Sequence, residues 1–359
     1  IQLEEDTQVL EEVVVVGYGQ QKRVSVTGAI ATVSPKELRK TSATRLDNAL
    51  AGRVTGLSSM QSGGGQPGVD GATMYLRGAA TTNGKSPLIL VDGVERDNIR
   101  TIDMNEVENL SVLKDASATA VYGVRGANGV ILITTRRGTK GKPELSISVD
   151  ESWTYFTNEP ERIHSWDWMG MRNQAKTNSG HEIEFSDFVI DKYRNPLAGL
   201  DPSSPGYETE KKKRLYMYPD NDYYRMYIAK YTPQTRLNAN ISGGTDFLNY
   251  FINAGYIHQG GNLNTESEEK LGYDPSSWMR RMSLRSNLDF QLAKTFKVSL
   301  NLASYAEKIN MPCVCSMYKD DNHMMTDLIY QSLTIKPMSP GPTTISEFGV
   351  ADGALVDHK

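Results

Sequence analysis

From Gly141 onward, apolar side chains fall on every second residue over long stretches, and few folds tolerate that pattern. Leu145, Ile147, Val149, Trp153 and Tyr155 alternate with Ser146, Ser148, Asp150, Ser152 and Thr154. Leu237, Ala239 and Ile241 alternate with Asn238, Asn240 and Ser242, and Asn249 to His258 continues the series less regularly. Met282, Leu284, Leu288, Phe290 and Leu292 alternate with Ser283, Arg285, Asn287, Asp289 and Gln291, and Phe296, Val298, Leu300 and Leu302 with Lys297, Ser299 and Asn301. A period of two is that of a β-strand, whose successive side chains point to opposite faces. A sheet with one apolar and one polar face belongs in a sandwich or in a membrane barrel. The connections choose between them. Those at 244–248 and 293–295 are short, while 156–236, 259–281 and everything after 306 are long. Outer-membrane barrels alternate brief turns with large loops in this way; a sandwich has no reason to put its long loops at one end.

Apolar runs elsewhere do not compete with this reading. The longest are four residues, among them Val13–Val16, Leu88–Val91, Val130–Ile133 and Met226–Ala229. A membrane-spanning helix needs roughly 18, so a helical membrane protein is excluded and a barrel is not. With 39 basic and 43 acidic side chains the net charge is −4, which argues against a general nucleic-acid binder.

Residues 19–139 read as an α/β domain. Ser34 followed by Pro35-Lys36-Glu37-Leu38-Arg39 has an N-cap and a proline at the first helical position. Arg45 to Leu50 is a second short amphipathic stretch, and strands are expected at Thr73–Leu76, Leu88–Val91, Val107–Val112 and Gly129–Thr135. Asp115 to Tyr122 reads as a short helix capped by Asp115 and ended by Gly123. Glycine-rich loops run over 63–71 and 78–84. Ahead of this domain, the four valines Val13–Val16 are stiff and extended, suited to a core strand or to a strand added to a partner's sheet.

Several of these segments together resemble the SusC/RagA-like branch of the TonB-dependent outer-membrane transporters. Glu11-Glu12-Val13-Val14-Val15-Val16-Gly17-Tyr18-Gly19 resembles the family's TonB box. Leu50-Ala51-Gly52-Arg53-Val54-Thr55-Gly56-Leu57, Tyr75-Leu76-Arg77-Gly78 and Pro87-Leu88-Ile89-Leu90-Val91-Asp92-Gly93 follow in the family's order. The most specific string is Val112-Leu113-Lys114-Asp115-Ala116-Ser117-Ala118-Thr119-Ala120-Val121-Tyr122-Gly123, running on through Arg125-Gly126-Ala127-Asn128-Gly129 to Thr135. The similarity covers residues 1 to about 306. It implies the end of a carboxypeptidase-regulatory-like domain over 1–10, a TonB box over 11–18, a plug domain over 19–139, and the first strands and outer loops of a β-barrel over 140–359. The fold class expected is therefore an α/β plug followed by antiparallel transmembrane β-barrel strands. The family closes about 22 strands, and five are counted here. The chain also opens at Ile1, without an initiator Met or a signal peptide. Both features lead to the expectation of a processed piece of a longer chain.

The same resemblance assigns roles. Glu12, Val13, Val14, Val15, Val16, Gly17 and Tyr18 would pair with TonB through main-chain hydrogen bonds, as in strand addition. Arg77 and Arg125 would lock the plug to acidic residues of the inner barrel wall. Gly63, Gly64, Gly65, Gln66, Thr81, Thr82 and Asn83 would lie on plug loops facing substrate. Gly63 to Gly68 also satisfies G-x-G-x-x-G, but a strand rather than a helix follows it, which argues against a dinucleotide site. The five histidines are scattered and Cys313 and Cys315 stand alone, so no catalytic constellation, metal site or cofactor is expected. The function implied is TonB-dependent import of a glycan or oligopeptide across the bacterial outer membrane with a SusD-like lipoprotein. A siderophore or cobalamin receptor and a truncated surface binding or adhesion protein are the alternatives.

Overall fold

The computed structural model describes residues 13–16, 19–22, 30–61, 65–76, 86–265, 267–311 and 324–339. The expected domain end at 1–10, together with Cys313 and Cys315, lies outside the described residues. The chain divides into two compact units.

The first unit begins with a hairpin of β1 (Val13–Val16) and β2 (Gly19–Lys22), paired antiparallel with Val13 opposite Lys22. The plug follows as β3 (Ile30–Val33), α1 (Pro35–Arg39), α2 (Leu46–Ala49), β4 (Leu57–Gln61), β5 (Ala72–Leu76), β6 (Leu88–Val91), β7 (Val94–Arg96), β8 (Val107–Leu113), α3 (Ala116–Thr119) and β9 (Val130–Thr135). Five of these strands form a sheet in the order β3-β8-β9-β6-β7, with β6 and β9 parallel, and β4 pairs with β5 separately. Ser34 caps α1 by accepting from the Glu37 amide, and Leu38 on the opposite side of that turn is fully buried. The sheet is apolar on both faces. Leu110, Val112, Ile131 and Ile133 pack with Leu38, Leu46, Leu50 and Met74 on one side, and Leu113, Val130 and Leu132 with Leu88, Leu90 and Tyr122 on the other. Between β6 and β7 the chain turns through Asp92 (φ 50°) and Gly93 (φ 83°), the Asp-Gly pair that a tight hairpin favours. Asp115 makes no side-chain cap bond, and after α3 a 3₁₀ stretch runs on to Gly126 with a break at Gly123 (φ 58°).

Five long strands complete the unit: β10 (Gly141–Thr154), β11 (Thr232–Gly244), β12 (Leu248–Gly260), β13 (Trp278–Ala293) and β14 (Phe296–Asn310). They pair antiparallel in sequence order and form an open sheet. At 13 to 16 residues each, they exceed the roughly 9–11 that a tilted strand needs to cross a bilayer core. Their alternation sorts into two faces. Leu237, Ile252, Leu284 and Leu300 are exposed on one face, while Arg236, Asn253, Arg285 and Asn287 are buried on the other. Asn287 stands opposite Asn301, which puts Asn301 on the polar face as well.

The second unit comprises 155–230, 263–265 and residues from 326 onward. Where the sequence reading has only a long loop, it holds four helices: α4 (Ser165–Asn178), α5 (Asp187–Arg194), α6 (Tyr207–Met217) and α7 (Tyr223–Tyr227). A short α8 (Glu268–Leu271) belongs to the first unit, and α9 (Met324–Thr334) lies mostly in the second. Asp220 organises the start of α4: its carboxylate accepts from the Ser165 amide at 2.8 Å and meets His164 Nδ1 at 2.7 Å and the Arg162 guanidinium. Partial burial works to raise the Asp220 pKa, but the hydrogen bonds from His164 and Ser165 and the charge of Arg162 outweigh it and hold the carboxyl below its ordinary range.

Candidate plug–barrel interface

The polar face of the long sheet is where the plug sits, so the polar phase of each strand becomes a row of contacts. The deepest contact is ionic. Glu106 ends a 3₁₀ turn that starts at the cap Asp103, which accepts from the Asn105 amide at 2.8 Å. Only 2% exposed, Glu106 accepts from Arg285 Nε of β13 at 2.6 Å on Oε2 and from Asn253 Nδ2 of β12 at 3.4 Å on Oε1. Burial pushes its carboxyl above the ordinary range, against the pull of the Arg285 charge and hydrogen bond. Gly255 lets β12 approach here, since a Cβ on it would stand 2.7 Å from Ser283 Oγ and 3.1 Å from Asp103 Oδ2. Beside the pair lies a cavity of about 110 Å³ lined by Asn98, Thr101, Ser283 and Tyr305, room for a few waters.

Three further contact groups extend the seam. In the first, the wall donates to plug carbonyls: Arg281 Nη2 to Thr44 O at 2.6 Å and Nη1 to Arg100 O at 2.9 Å, with Gln234 and Arg236 reaching Ser42 O and Ala43 O. Arg281 also pairs with Glu307 of β14 at 3.5 Å. The second lies at the end of β9. Asn287 Nδ2 donates to Thr135 Oγ1 and to Arg136 O, both at 2.8 Å, and Thr135 Oγ1 in turn donates to Asp92 Oδ2 at 2.6 Å. Arg137 Nη1 donates to Asp289 at 2.9 Å, and Arg136 stands 4.9 Å over the Phe251 ring. In the third, Asp70 Oδ2 accepts from Gln61 at 3.3 Å and from Gln259 of β12 at 3.4 Å, and burial raises the Asp70 pKa. The backbone comes close at two points. A Cβ on Gly68 would stand 2.7 Å from Ile309 Cδ1, and one on Gly138, where the plug hands over to β10, would stand 2.3 Å from Tyr250 O.

This seam is incompletely paired. Asp70 Oδ1, Gln66 Oε1, Arg236 Nε, Asn238 Nδ2, Asn253 Oδ1 and Asn287 Oδ1 are buried with no hydrogen-bond partner among the described residues. A buried polar atom left unmade costs about 1–3 kcal/mol, and a buried ion pair gains little net energy over its desolvation. The seam is thus specific in geometry and modest in net strength.

The residues expected to act from sequence are placed as follows. Val13, Val14, Val15 and Val16 are an extended strand paired along one edge with Gly19–Lys22. Glu12, Gly17 and Tyr18 lie outside the described residues, as do Gly63, Gly64, Arg77, Thr81, Thr82 and Asn83. Gln66, expected on a substrate-facing loop, is 0% exposed and donates to Met311 Sδ at 2.9 Å, while Gly65 lies at the turn before it. Arg125, expected to reach the barrel wall, pairs instead with Glu95 of the plug at 2.6 Å, and its side chain is 71% exposed. Among the described residues, plug and wall exchange ion pairs of both polarities: the plug supplies the carboxylate of Glu106 to the guanidinium of Arg285, and it supplies Arg137 and Arg100 to Asp289 and Glu307 of the wall at 2.9 and 3.7 Å. Sequence reasoning puts Arg285, Asn287 and Asp289 on the inner face but does not find Glu106, which sits in an unremarkable acidic stretch. The only signal is that residues this long and this charged occur in the inward phase, where a solid apolar filling would not accept them.

A compact α/β domain seated on the polar face of an antiparallel sheet of membrane-spanning length defines a plugged β-barrel protein. The comparisons with known proteins agree. The family model for the TonB-dependent receptor plug domain matches residues 22–130. TonB-dependent receptor P26 of Formosa agariphila is 29% identical over 308 residues, covering 84% of this chain and 27% of that protein. TonB-dependent receptor SusC of Bacteroides thetaiotaomicron is 40% identical over 183 residues, covering 48% of this chain and 18% of that protein. Among solved structures, the RagAB peptide importer in its open-open state superposes with a TM-score of 0.65 at 25% identity, covering 83% of this chain and 32% of that one. The chain belongs to the TonB-dependent receptor family, in its SusC/RagA-like branch, a family of outer-membrane receptors rather than enzymes. It spans about a quarter of the length of the Formosa relatives P26 and P3.

Proposed function

We propose that the protein to which this chain belongs imports a glycan or an oligopeptide across the bacterial outer membrane, driven by TonB. The observation that supports this most is the seam itself. A plug whose own core is apolar, but which meets the wall through a few ion pairs and half-satisfied amides, is built to be seated accurately and unseated whole. Glu106 and Arg285 are the lock of this seam. Arg125 pairs within the plug, Arg77 adds to the lock between plug and wall, and the loops carrying Gly63, Gly64 and Gly65, and Thr81, Thr82 and Asn83, present the plug to cargo. Val13 to Val16 offer TonB the strand edge that pairs with no strand among the described residues, flanked in sequence by Glu12, Gly17 and Tyr18. Apolar residues of the long strands face outer-membrane lipid, and a SusD-like lipoprotein closes the outer mouth. Relatives whose names carry SusC, and a RagAB peptide importer as structural neighbour, support that partner and that cargo class.

Deleting residues 12–17 from the full-length protein tests the coupling. Uptake is expected to fall to background with equilibrium binding of cargo unchanged. Val14→Pro alone is expected to be nearly as severe, because proline removes a strand donor, whereas Val14→Ala is mild. Intact uptake after the deletion, or joint loss of binding and uptake, contradicts the role of the box.

A further inference from the structure

We infer that the cleft between α4 and α5 is a binding subsite for a basic side chain, the guanidinium of arginine or the ammonium of lysine in a peptide. The cleft measures about 550 Å³, within the range of small-molecule sites, and lies wholly within the second unit. One wall is Trp166, Asp167, Gly170 and Met171 of α4, and the other is Asp187, Ile190, Asp191 and Arg194 of α5. On α5 these four positions recur at i, i+3, i+4 and i+7, one face of the helix.

Four features favour this ligand. Trp166 stacks on His164 with centroids 4.3 Å apart and planes 7° apart, and His164 is held in turn by Asp220 at 2.7 Å, so the indole plane is held in place by the stack. Tryptophan is the best aromatic platform for a cation, and Met171 and Ile190 suit the aliphatic stem that carries it. The formal charge around the cleft is three carboxylates against one guanidinium, and Asp167, Asp187 and Arg194 make no ion pair or hydrogen bond among the described residues. The fourth feature is Gly170. A glycine inside a helix costs about 1 kcal/mol relative to alanine, yet a Cβ built on Gly170 meets nothing within 4 Å. Among the described residues no packing requires this glycine; what it provides is an open notch in the wall of the cleft. The two walls are also braced against each other: Asn173 Oδ1 accepts from the Glu184 and Phe185 amides at 2.9 and 3.0 Å, and Arg172 pairs with Glu184 at 3.0 Å. The subsite is therefore preorganised.

The inference rests on the import reading for its meaning, since it selects basic oligopeptides among the cargo classes, but its test is read without transport. Fluorescence anisotropy on the purified full-length receptor would follow a labelled hexapeptide containing arginine and the same peptide with glutamine in its place. The arginine peptide is expected to bind about fivefold tighter, the scale of a cation–π contact at a solvent-exposed site. Gly170→Leu fills the notch with a good helix former, so it is expected to abolish that preference while leaving the melting temperature level or raised. Asp187→Asn with Asp191→Asn is expected to remove most of the preference, and Trp166→Phe to keep part of it. Equal affinity for the two peptides overturns the inference, as does an arginine preference that survives Gly170→Leu. A neutral oligosaccharide that competes at the cleft and is lost in Gly170→Leu also overturns it. Loss of uptake on deleting residues 12–17, with this binding result negative, would leave the import reading standing and the subsite refuted.

Discussion

The plug has two kinds of contact, and they are built from different residues. Inside it, Leu38, Leu46, Leu50, Leu110, Ile131 and Ile133 are closed off from solvent in one apolar cluster whose members run from Val33 to Ile133. Outside it, toward the wall, contacts are made by Glu106, Asp70, Thr135, Arg137 and main-chain carbonyls on one side and by arginines, asparagines, glutamines and Asp289 on the other. Apolar burial is additive and has no preferred geometry, whereas polar contacts are worth little net unless their geometry is kept. The lesson is mechanical. Pulling residues 30–76 away from 86–135 would tear the common core, while lifting the domain as a body breaks only the seam.

The largest expected effect comes from unpairing that seam. Arg285→Ala leaves Glu106 buried without its cation and should weaken seating of the plug by about 3–5 kcal/mol. Adding Glu106→Leu to Arg285→Leu should recover most of that loss; protection of the plug from protease across a urea series in the full-length receptor measures both. A core change should act differently. Leu110→Ala, at a fully buried position, should cost about 2–5 kcal/mol of the plug's own stability, read by hydrogen exchange over β8 and β9, with contacts to the wall kept until the plug unfolds. Equal loss of seating and of core protection in both variants would erase the distinction. Next comes Gly68→Ala, where φ is +78° and Ile309 would be 2.7 Å from the new Cβ. About 1–3 kcal/mol of seating is expected to go through overpacking and backbone strain.

The pH response should separate seam from helices by sign. Glu106 and Asp70 have raised pKa values, chiefly through burial, so each holds its proton more tightly when the plug is seated. Seating should strengthen as pH falls toward their ordinary values of 4.5 and 3.8, and weaken as pH rises through the raised ones. Asp220 is lowered despite its partial burial, so its hold on α4 is present above 3.8 and lost as pH falls through its lowered value. Hydrogen exchange at acid pH should therefore show α4 loosening while the plug does not. The smallest effect is expected at Arg125→Ala, since an exposed pair with Glu95 is worth about 0–1 kcal/mol; a loss of seating comparable to Arg285→Ala would return the lock to Arg125.

Much of this fold is legible in the sequence because its signals are local. The capped start of α1 after Ser34, the strands β5, β6, β8 and β9, and all five long strands follow from caps, apolar runs and alternation. β4 escapes because Leu57-Ser58-Ser59-Met60-Gln61 carries little that is β-branched or aromatic, and its pairing with β5 is supplied by the fold. The helices of 165–227 escape for another reason. Ser165–Asn178 buries only Ser165 and Met169, so it has no apolar stripe to read, and its order comes from Asp220, 55 residues beyond Ser165. The interface is half legible. Alternation puts Arg285 and Asn287 on the inner face, but which plug atoms meet them depends on register across more than 150 residues, as for Asn287 with Thr135 and Arg285 with Glu106. No local pattern contains that information.

The central claim is that the plug leaves the wall as a body, by breaking its polar seam. Cysteines replacing Thr135 and Asn287, whose side chains now share a 2.8 Å hydrogen bond, would be joined by a short reducible linker in a background lacking Cys313 and Cys315. Uptake is expected to fall to background when the linker is closed and to return on reduction, with cargo binding the same in both states. Uptake at the normal rate through a fully cross-linked receptor would contradict the account, because cargo would then pass a plug still fastened to its wall.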